Sequence, residues 1–433
     1  MCYNVLKNIA ENTISPVLIS FVWWALSNAE KKGAQLYFIA RDGYIMYLIA
    51  RRFCERFGLK TNCRYLYGSR IAWRTAVYNM IPDGEKYEYI FSGGYKITPR
   101  VILGRVLADK DQRNKIYRDI NFFDLPGGEN RELCAKDLKI FADKLKSSAV
   151  FREYLRDISK KQLENVSNYF KQEGLFDTGE VAFVDSGWIG TLQRNLRQIL
   201  EYNMRDVKIT GYYFGLYTHS YDKKDGDYNT WYFSPESKIN LLASFNNNVF
   251  ECMCATPFEM TLGYEYSDEN GFYVPVFNAG SSYNKQKAEL LNRYIEEYAE
   301  NFLKNSNLTF GAYSNKYLEE SVKTLQRFML EPTKEEAREF GGFKFCDDAS
   351  DCYENNLARI IDKSFFKSYS IFTRLINKFY KPNENKTADL FWFHGSAAIS
   401  ETDKNLNWYK FNYKLWEIIR LLKKTKLKHY LRK

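Results

Sequence analysis

Short unbroken apolar runs alternate with apolar residues at helical spacing along the first half of this chain, an order that predicts a parallel sheet with crossover helices. Residues 14–32 read as a helix, with Pro16 in the first turn and Glu30, Lys31 and Lys32 ahead of a Gly33 stop. Gln35-Leu-Tyr-Phe-Ile-Ala40 is then a short strand, Arg41-Asp42-Gly43 the turn after it, and Tyr44 to Phe57 a helix closed by Gly58. A second strand, Cys63 to Tyr67, ends in Gly68-Ser69-Arg70. The stretch 98–175 is charged and rich in helix formers, with Leu138, Ile140, Phe141 and Leu145 at helical spacing and a break at Leu125-Pro126-Gly127-Gly128. The strand rhythm returns at Glu180 to Val184, followed by the turn Asp185-Ser-Gly-Trp-Ile-Gly-Thr191, a helix from Leu192 to Tyr202 and a strand from Val207 to Gly215.

The fold expected is therefore α/β, a Rossmann-like parallel sheet whose two halves are separated in sequence. Residues 1–97 and 176–280 make the α/β catalytic core, 98–175 a helical hood inserted into it, 281–404 a mostly helical C-terminal region, and 405–433 a basic amphipathic tail helix. The longest apolar run, Ile14 to Leu26, is broken by Ser15, Pro16 and Ser20. It falls short of the roughly 20 apolar residues needed to cross a bilayer and reads as a buried helix.

Composition changes this picture in three places. Hydrophobic residues at 45% and charged residues at 27% exclude a disordered chain. The 34 Tyr and 32 Phe suit sugar-binding clefts, where a ring stacks on C–H groups, and equally suit an AT-rich codon bias. The net charge of +10 is uneven: from Ile418 onward come Arg420, Lys423, Lys424, Lys426, Lys428, Arg432 and Lys433 with no carboxylate. With the apolar residues Trp408, Tyr409, Phe411, Leu415, Trp416, Ile418, Ile419, Leu421 and Leu422 at roughly helical spacing, these make a helix that either lies on an anionic membrane or docks on the body with solvated lysines. No nucleic-acid module is present, so a nucleic-acid partner is not expected. Eight cysteines show no C-x-x-C pair and no secretory leader is visible, which predicts reduced thiols and a cytoplasmic protein, peripheral on the inner face of the plasma membrane if the tail binds lipid.

Candidate chemistry lies at the carboxyl ends of the strands, where open parallel sheets bind ligands. Asp42 and Asp185 both occupy that place, and each alone is explained as a helix N-cap. Two such turns, with Tyr67-Gly68-Ser69-Arg70 at a third strand end, favour one shared site. The turn Ser186-Gly187-Trp188-Ile189-Gly190-Thr191 opens a helix and suits a phosphate, although it is neither a Walker A nor a G-x-G-x-x-G sequence. Arg41 and Arg70 suit a diphosphate or, alternatively, surface ion pairs. His219, His394 and His429 are the only histidines and none adjoins these turns, which disfavours Ser–His and His–metal mechanisms. Glu251, Glu259 and Tyr264 either line an acceptor side or belong to a helix and loop packed on the sheet.

The order strand–RDG–helix, strand–YGSR, hood, strand–VDSGWIGT–helix, strand–GYYFG resembles the phosphoribosyltransferase plan. The stretch from about Ile14 to Gly263 is similar to the glycan phosphoribosyltransferase part of bacterial ribofuranosyltransferases. Ser15-Pro16, Tyr37 to Gly43, Tyr67 to Arg70 and Phe183 to Gln193 carry the likeness. The resemblance implies a sheet of phosphoribosyltransferase type. It also implies transfer of 5-phosphoribosyl from phosphoribosyl pyrophosphate to a lipid-linked glycan acceptor in surface polysaccharide (O-antigen or capsule) assembly. In such enzymes a haloacid-dehalogenase-type phosphatase then removes the 5-phosphate.

On that plan Arg41, Gly43, Ser69 and Arg70 hold pyrophosphate, and Ser186, Gly187, Trp188, Ile189, Gly190 and Thr191 hold the 5-phosphate. Mg2+ bridges the diphosphate, with Asp185 on ribose hydroxyls or metal-bound water, and Asp42 is the general base; the two aspartates are exchangeable in these roles. The chain departs from the plan where Ser186 follows Asp185 in place of a second acid, leaving open how ribose and metal are held. It also lacks an Asp-x-Asp phosphatase motif, so a separate phosphatase is expected. Two rivals stand beside this reading: a nucleotide-sugar glycosyltransferase, and a non-catalytic glycan-assembly partner at the membrane.

Overall fold

The computed structural model describes residues 4–91, 97–107, 109–122, 127–203, 207–218, 223–278, 284–305, 307–312, 314–346, 355–362, 365–366, 370–371, 373, 390–400 and 406–430, the side chains of 223, 312 and 423–430 excepted. Five strands form one parallel sheet: β1 (Leu36–Ile39), β2 (Cys63–Leu66), β3 (Glu180–Trp188), β4 (Lys208–Leu216) and β5 (Asp227–Phe233). Their order across the sheet is β2-β1-β3-β4-β5. Successive side chains alternate between faces. Leu36, Phe38, Ala182, Val184, Tyr212 and Phe214 enter one apolar layer, while Tyr37, Ile39, Val181, Phe183, Ile209 and Tyr213 enter the other. Covering both faces is what makes such strands read as continuous apolar runs.

The helices before β3 are α1 (Val5–Ile9), α2 (Ser15–Lys32), α3 (Gly43–Phe57), α4 (Arg70–Val77), α5 (Asp83–Phe91), α6 (Pro99–Gly104), α7 (Lys110–Asp119), α8 (Ala135–Ser147) and α9 (Ala149–Gln172). After it come α10 (Thr191–Asn203), α11 (Ile239–Ser244), α12 (Asn247–Met253), a hairpin of β6 (Thr261–Ser267) and β7 (Phe272–Phe277), α13 (Lys285–Leu303), α14 (Asn315–Leu330) and α15 (Lys334–Phe340). The two-residue strands β8 (Lys344–Phe345) and β9 (Asn355–Asn356), then α16 (Phe393–Ile399) and α17 (Leu406–Tyr430), complete the described chain.

Helices α2, α3, α12, α13 and α14 share the first apolar layer, and α4, α9 and α10 the second. The sheet is thus sandwiched between helical layers, an α/β fold. One boundary differs from the sequence reading. Helix α9, expected in the hood, is part of the layer on the sheet: the Tyr169 hydroxyl accepts from the Tyr67 backbone N–H at 3.1 Å, and Phe170 meets Trp73 edge-on at 5.5 Å. Of the break expected at 125–128, Leu125 and Pro126 lie outside the described residues, and Gly127 and Gly128 take positive φ.

Helical structure begins earlier than Ile14, running from Val5 through a π turn at Ala10–Ile14 to Lys32. Among the described residues this is one helix long and apolar enough to cross a membrane, and 78% of its apolar window is buried inside the fold. Trp23 is enclosed at 1% exposure and donates its indole N–H to the Phe310 carbonyl at 2.8 Å.

Helix α17 uses two faces. Tyr409 stacks on Phe366 at 5.7 Å and Tyr413 lies parallel to Phe393 at 4.3 Å, so one face docks on the body. Trp408, Phe411 and Leu415 form a second stripe that stays exposed. Of the basic residues beyond it, the side chains of Lys423, Lys424, Lys426 and Lys428, and all of Arg432 and Lys433, lie outside the described residues.

Candidate active site

The strand order places β1 and β3 side by side with their connections leaving in opposite directions, β1 through α3 to β2 and β3 through α10 to β4. That switch point is where open parallel sheets leave a crevice. The crevice is deepened by unequal strand lengths. β1 pairs with β3 only as far as Phe38 opposite Val184, whereas β3 continues against β4 to Trp188 opposite Leu216. Asp185, Ser186, Gly187 and Trp188, expected in a turn, are therefore strand residues, because β4 offers them a ladder that β1 does not. The turn itself shrinks to Ile189-Gly190 before α10 begins at Thr191.

Two glycines are required by this bend. Gly187 has φ +106°, and a Cβ there would lie 2.4 Å from the Gly215 carbonyl oxygen. Gly190 has φ +73° and would place a Cβ 2.7 Å from the Tyr228 ring. Trp188, between them, also has positive φ, 78°. Its ring packs on Phe233, Phe245 and Phe250, so its side chain supports the wall of the site and does not offer itself to a phosphate.

Asp42 stands at the head of α3 in helical conformation and makes no capping bond, which removes the N-cap explanation. Instead its carboxylate accepts from the Ser186 hydroxyl at 2.5 Å, a contact between residues 144 positions apart. Asp185 stays within β3 on the same crevice, so it is not a cap either. Glu251, on α12, joins them: one carboxylate oxygen accepts from the Trp188 indole N–H at 2.7 Å. Arg41 and Arg70 are exposed and within electrostatic reach of Asp42 and Glu251. The Ala40–Arg41 peptide is cis.

Three half-buried carboxyl groups this close cannot all ionise freely. Burial, and then the charge of Asp42, push Asp185 up to about 7, against the pull of Arg70. Glu251 is pushed up to about 7 by burial and Asp42, with Arg70, the Trp188 N–H and Arg41 opposing. Asp42 is itself raised by burial, although the Ser186 hydroxyl and both guanidinium groups favour its charged form. The cluster therefore holds a proton near neutral pH and can take up or release one during a reaction. The Tyr65 hydroxyl, buried without a hydrogen bond, lies within electrostatic range of Asp42 and Arg41.

The remaining expected residues divide. Gly43 is the buried first residue of α3, where a Cβ would press on the Phe38 backbone at 3.0 Å. Thr191 opens α10 and accepts from Arg74 at 3.3 Å. Ile189 is exposed. Ser69 caps α4, its hydroxyl accepting from Ala72 N–H at 3.0 Å and donating to the Thr261 carbonyl at 2.6 Å. Tyr264 is corrected from the acceptor side to an internal strut: it is 1% exposed, stacks on Tyr169 at 4.4 Å, and bridges the Trp73 indole and the Tyr67 carbonyl. Glu259 lies half-buried on the loop between α12 and β6.

Sequence reasoning missed Arg74 and Tyr65. The signal for Arg74 was present, because Arg70 and Arg74 are four apart on one helix and so share a face. Tyr65 carries no such mark, since alternation in β2 leaves its tip's surroundings undetermined. Among the described residues, no three His, Cys, Asp or Glu side chains converge closely enough to hold a metal ion alone. Compared with known proteins, the chain matches no family model and no curated sequence.

Proposed function

We propose that the chain is a glycosyltransferase that moves 5-phosphoribosyl from phosphoribosyl pyrophosphate to a hydroxyl of a glycan acceptor. The observation that carries this reading is the meeting of Asp42, Ser186, Asp185 and Glu251 with Arg41 and Arg70 at the β1/β3 switch point. Cations beside carboxyl groups of raised proton affinity suit a reaction that expels a polyanion and takes a proton from a hydroxyl.

In the proposed step, the acceptor oxygen bonds to the anomeric carbon, the carbon–oxygen bond to pyrophosphate breaks, and its electron pair leaves with the diphosphate. The acceptor proton passes to Asp42, whose orientation is set by the Ser186 hydroxyl. Arg41 and Arg70 stabilise the departing charge through paired hydrogen bonds. Asp185 faces the ribose hydroxyls. A magnesium ion would be held by Asp185, directly or through water, with its other ligands from phosphate and water. When bound it would neutralise the diphosphate. The 5-phosphate would be removed by a separate phosphatase.

Calorimetric titration with phosphoribosyl pyrophosphate, with and without Mg2+, beside a panel of nucleotide sugars, tests the donor. Selective Mg2+-dependent binding is expected, weakened about tenfold or more in Arg41→Ala or Arg70→Ala. Preference for a nucleotide sugar would move the protein to the rival transferase class, and binding of neither donor would overturn an independent donor site.

The acceptor is proposed to be lipid-linked and met at the cytoplasmic face of a membrane. The exposed stripe of Trp408, Phe411 and Leu415, with the carboxylate-free basic sequence after Ile418, supports this. Flotation with anionic vesicles is expected to carry the protein, and a Trp408→Ser/Phe411→Ser variant to stay behind. Equal flotation of both would remove the tail from that role.

A further inference from the structure

Cys54 and Cys63 face each other across the connection from α3 to β2, with their Sγ atoms 3.6 Å apart and both side chains half-buried. The turn between them is held from several sides. Gly58 ends α3 in the left-handed conformation, and the Leu59 N–H donates to the Cys54 carbonyl at 3.2 Å. The Asn62 carbonyl accepts from the Leu36 N–H at 2.9 Å, and Cys63 then opens β2 in register with Leu36. From α2, the Glu30 carboxylate accepts from the Lys60 N–H at 3.0 Å, the Thr61 N–H at 2.8 Å and the Thr61 hydroxyl at 2.5 Å. Little freedom is therefore left to lose if the two sulfurs join.

The pair is also polarised. The Cys54 thiol donates to the Thr61 carbonyl at 3.6 Å and accepts from Cys63. That bond from Cys63 holds the Cys54 thiol below its ordinary range, against the effect of burial, while the same bond and burial push Cys63 up. Cys54 is thus the better nucleophile and Cys63 the thiol placed to follow it. A disulfide is about 2.0 Å long, so the sulfurs have only a short distance left to close. By contrast, Cys252 and Cys254 are sealed in the apolar core at 3% and 1% exposure.

We infer that Cys54 and Cys63 are a redox-active pair that closes to a reversible disulfide when it meets a low-molecular-weight disulfide such as glutathione disulfide. Cys54 as thiolate attacks one glutathione sulfur, the glutathione sulfur–sulfur bond breaks, and its electron pair leaves with a glutathione thiolate. Cys63 gives up its proton to solvent and attacks Cys54, releasing the second glutathione. Two protein thiols are oxidised and one glutathione disulfide is reduced to two thiols. Cys63 is the first residue of β2, whereas the crevice lies at the carboxyl ends of the strands. The bond therefore staples α3 to β2 without entering the crevice, and the inference is independent of the donor reading.

The test exposes the full folded chain to glutathione disulfide, alkylates the remaining thiols and maps tryptic peptides. Trypsin cuts after Arg52, Arg56, Lys60 and Arg64, so the expected product joins Phe53–Arg56 to Thr61–Arg64. Two of the eight thiols should be lost, Cys252 and Cys254 should stay reduced, and dithiothreitol should restore the pair. Oxidation should raise the melting midpoint by a few degrees. Cys63→Ser should keep a glutathione on Cys54, since nothing is left to displace it. Both thiols remaining reduced, a wild-type glutathione adduct on Cys54 that Cys63 never resolves, or a link from either to another cysteine overturns the inference. An unchanged melting midpoint in the linked protein overturns the staple. The wild-type map decides even where Cys63→Ser fails to fold.

Discussion

Asp42→Asn is expected to slow transfer by about 10²–10⁴-fold while leaving donor affinity almost unchanged. The amide has nearly the shape of the carboxylate, and its oxygen can still accept from the Ser186 hydroxyl, so the crevice should keep its geometry. What disappears is the group able to receive the acceptor proton. Pyrophosphate release from the donor, with water or a sugar as acceptor, measures the loss, and calorimetry checks binding. Ser186→Ala should act more mildly, because it removes the orienting hydroxyl and keeps the base. An Asn variant that retained more than about a tenth of the rate would remove Asp42 from the base role and leave Asp185 or Glu251 to fill it.

Asp185→Asn is expected to make the folded protein more stable at pH 8 than wild type, and about equal to it near pH 4. Asp185 is raised from 3.8 to about 7 in the fold, so the folded state binds its proton more tightly than the unfolded state does. Its contribution to stability is present in full below about pH 4 and is lost as pH rises through about 7. Above that pH the crevice holds an ionised carboxylate beside Asp42 and Glu251, whereas an amide has nothing to ionise. The difference at pH 8 should be roughly 2 kcal/mol, allowing for partial exposure of the group, and a few degrees in Tm. Melting curves from pH 4 to 8 measure it. Parallel curves for the two proteins would mean that Asp185 does not hold a proton at neutral pH. The comparison also tests the site, since carboxyl groups that weaken a fold are kept where chemistry needs them.

The parts of this site that were legible in sequence are those marked by a change of rhythm. An apolar run buried on both faces and ended by Arg41-Asp42-Gly43 can be read without knowing its neighbours, and so can the run ending at Val184. The length of β3 could not, because Asp185 to Trp188 stay extended only through the ladder that β4 provides. The edge strand β5 was missed for a related reason. Its Asp-Tyr-Asn-Thr start is polar and only half-buried, and it is defined by pairing with β4. Ser69 entered the expected site with the strand-end motif Tyr67-Gly68-Ser69-Arg70, and Tyr264 with the stretch that holds Glu251 and Glu259. Their hydroxyls are engaged by partners nearly two hundred residues away, and such pairings leave no local trace. Glu251 was noted only as a weak acceptor-side residue, since its place beside Asp42 depends on the Trp188 indole reaching across to α12.

The N-terminal helix has a consequence for synthesis on the ribosome. Part of the cover of α2 is made long after α2 itself: Trp23 closes on the Phe310 carbonyl, 287 residues further along. At translation speeds of about 5–20 residues per second, that cover arrives about 15–60 s after the helix it protects. For that interval the nascent chain displays an apolar helix long enough to be taken for a membrane span.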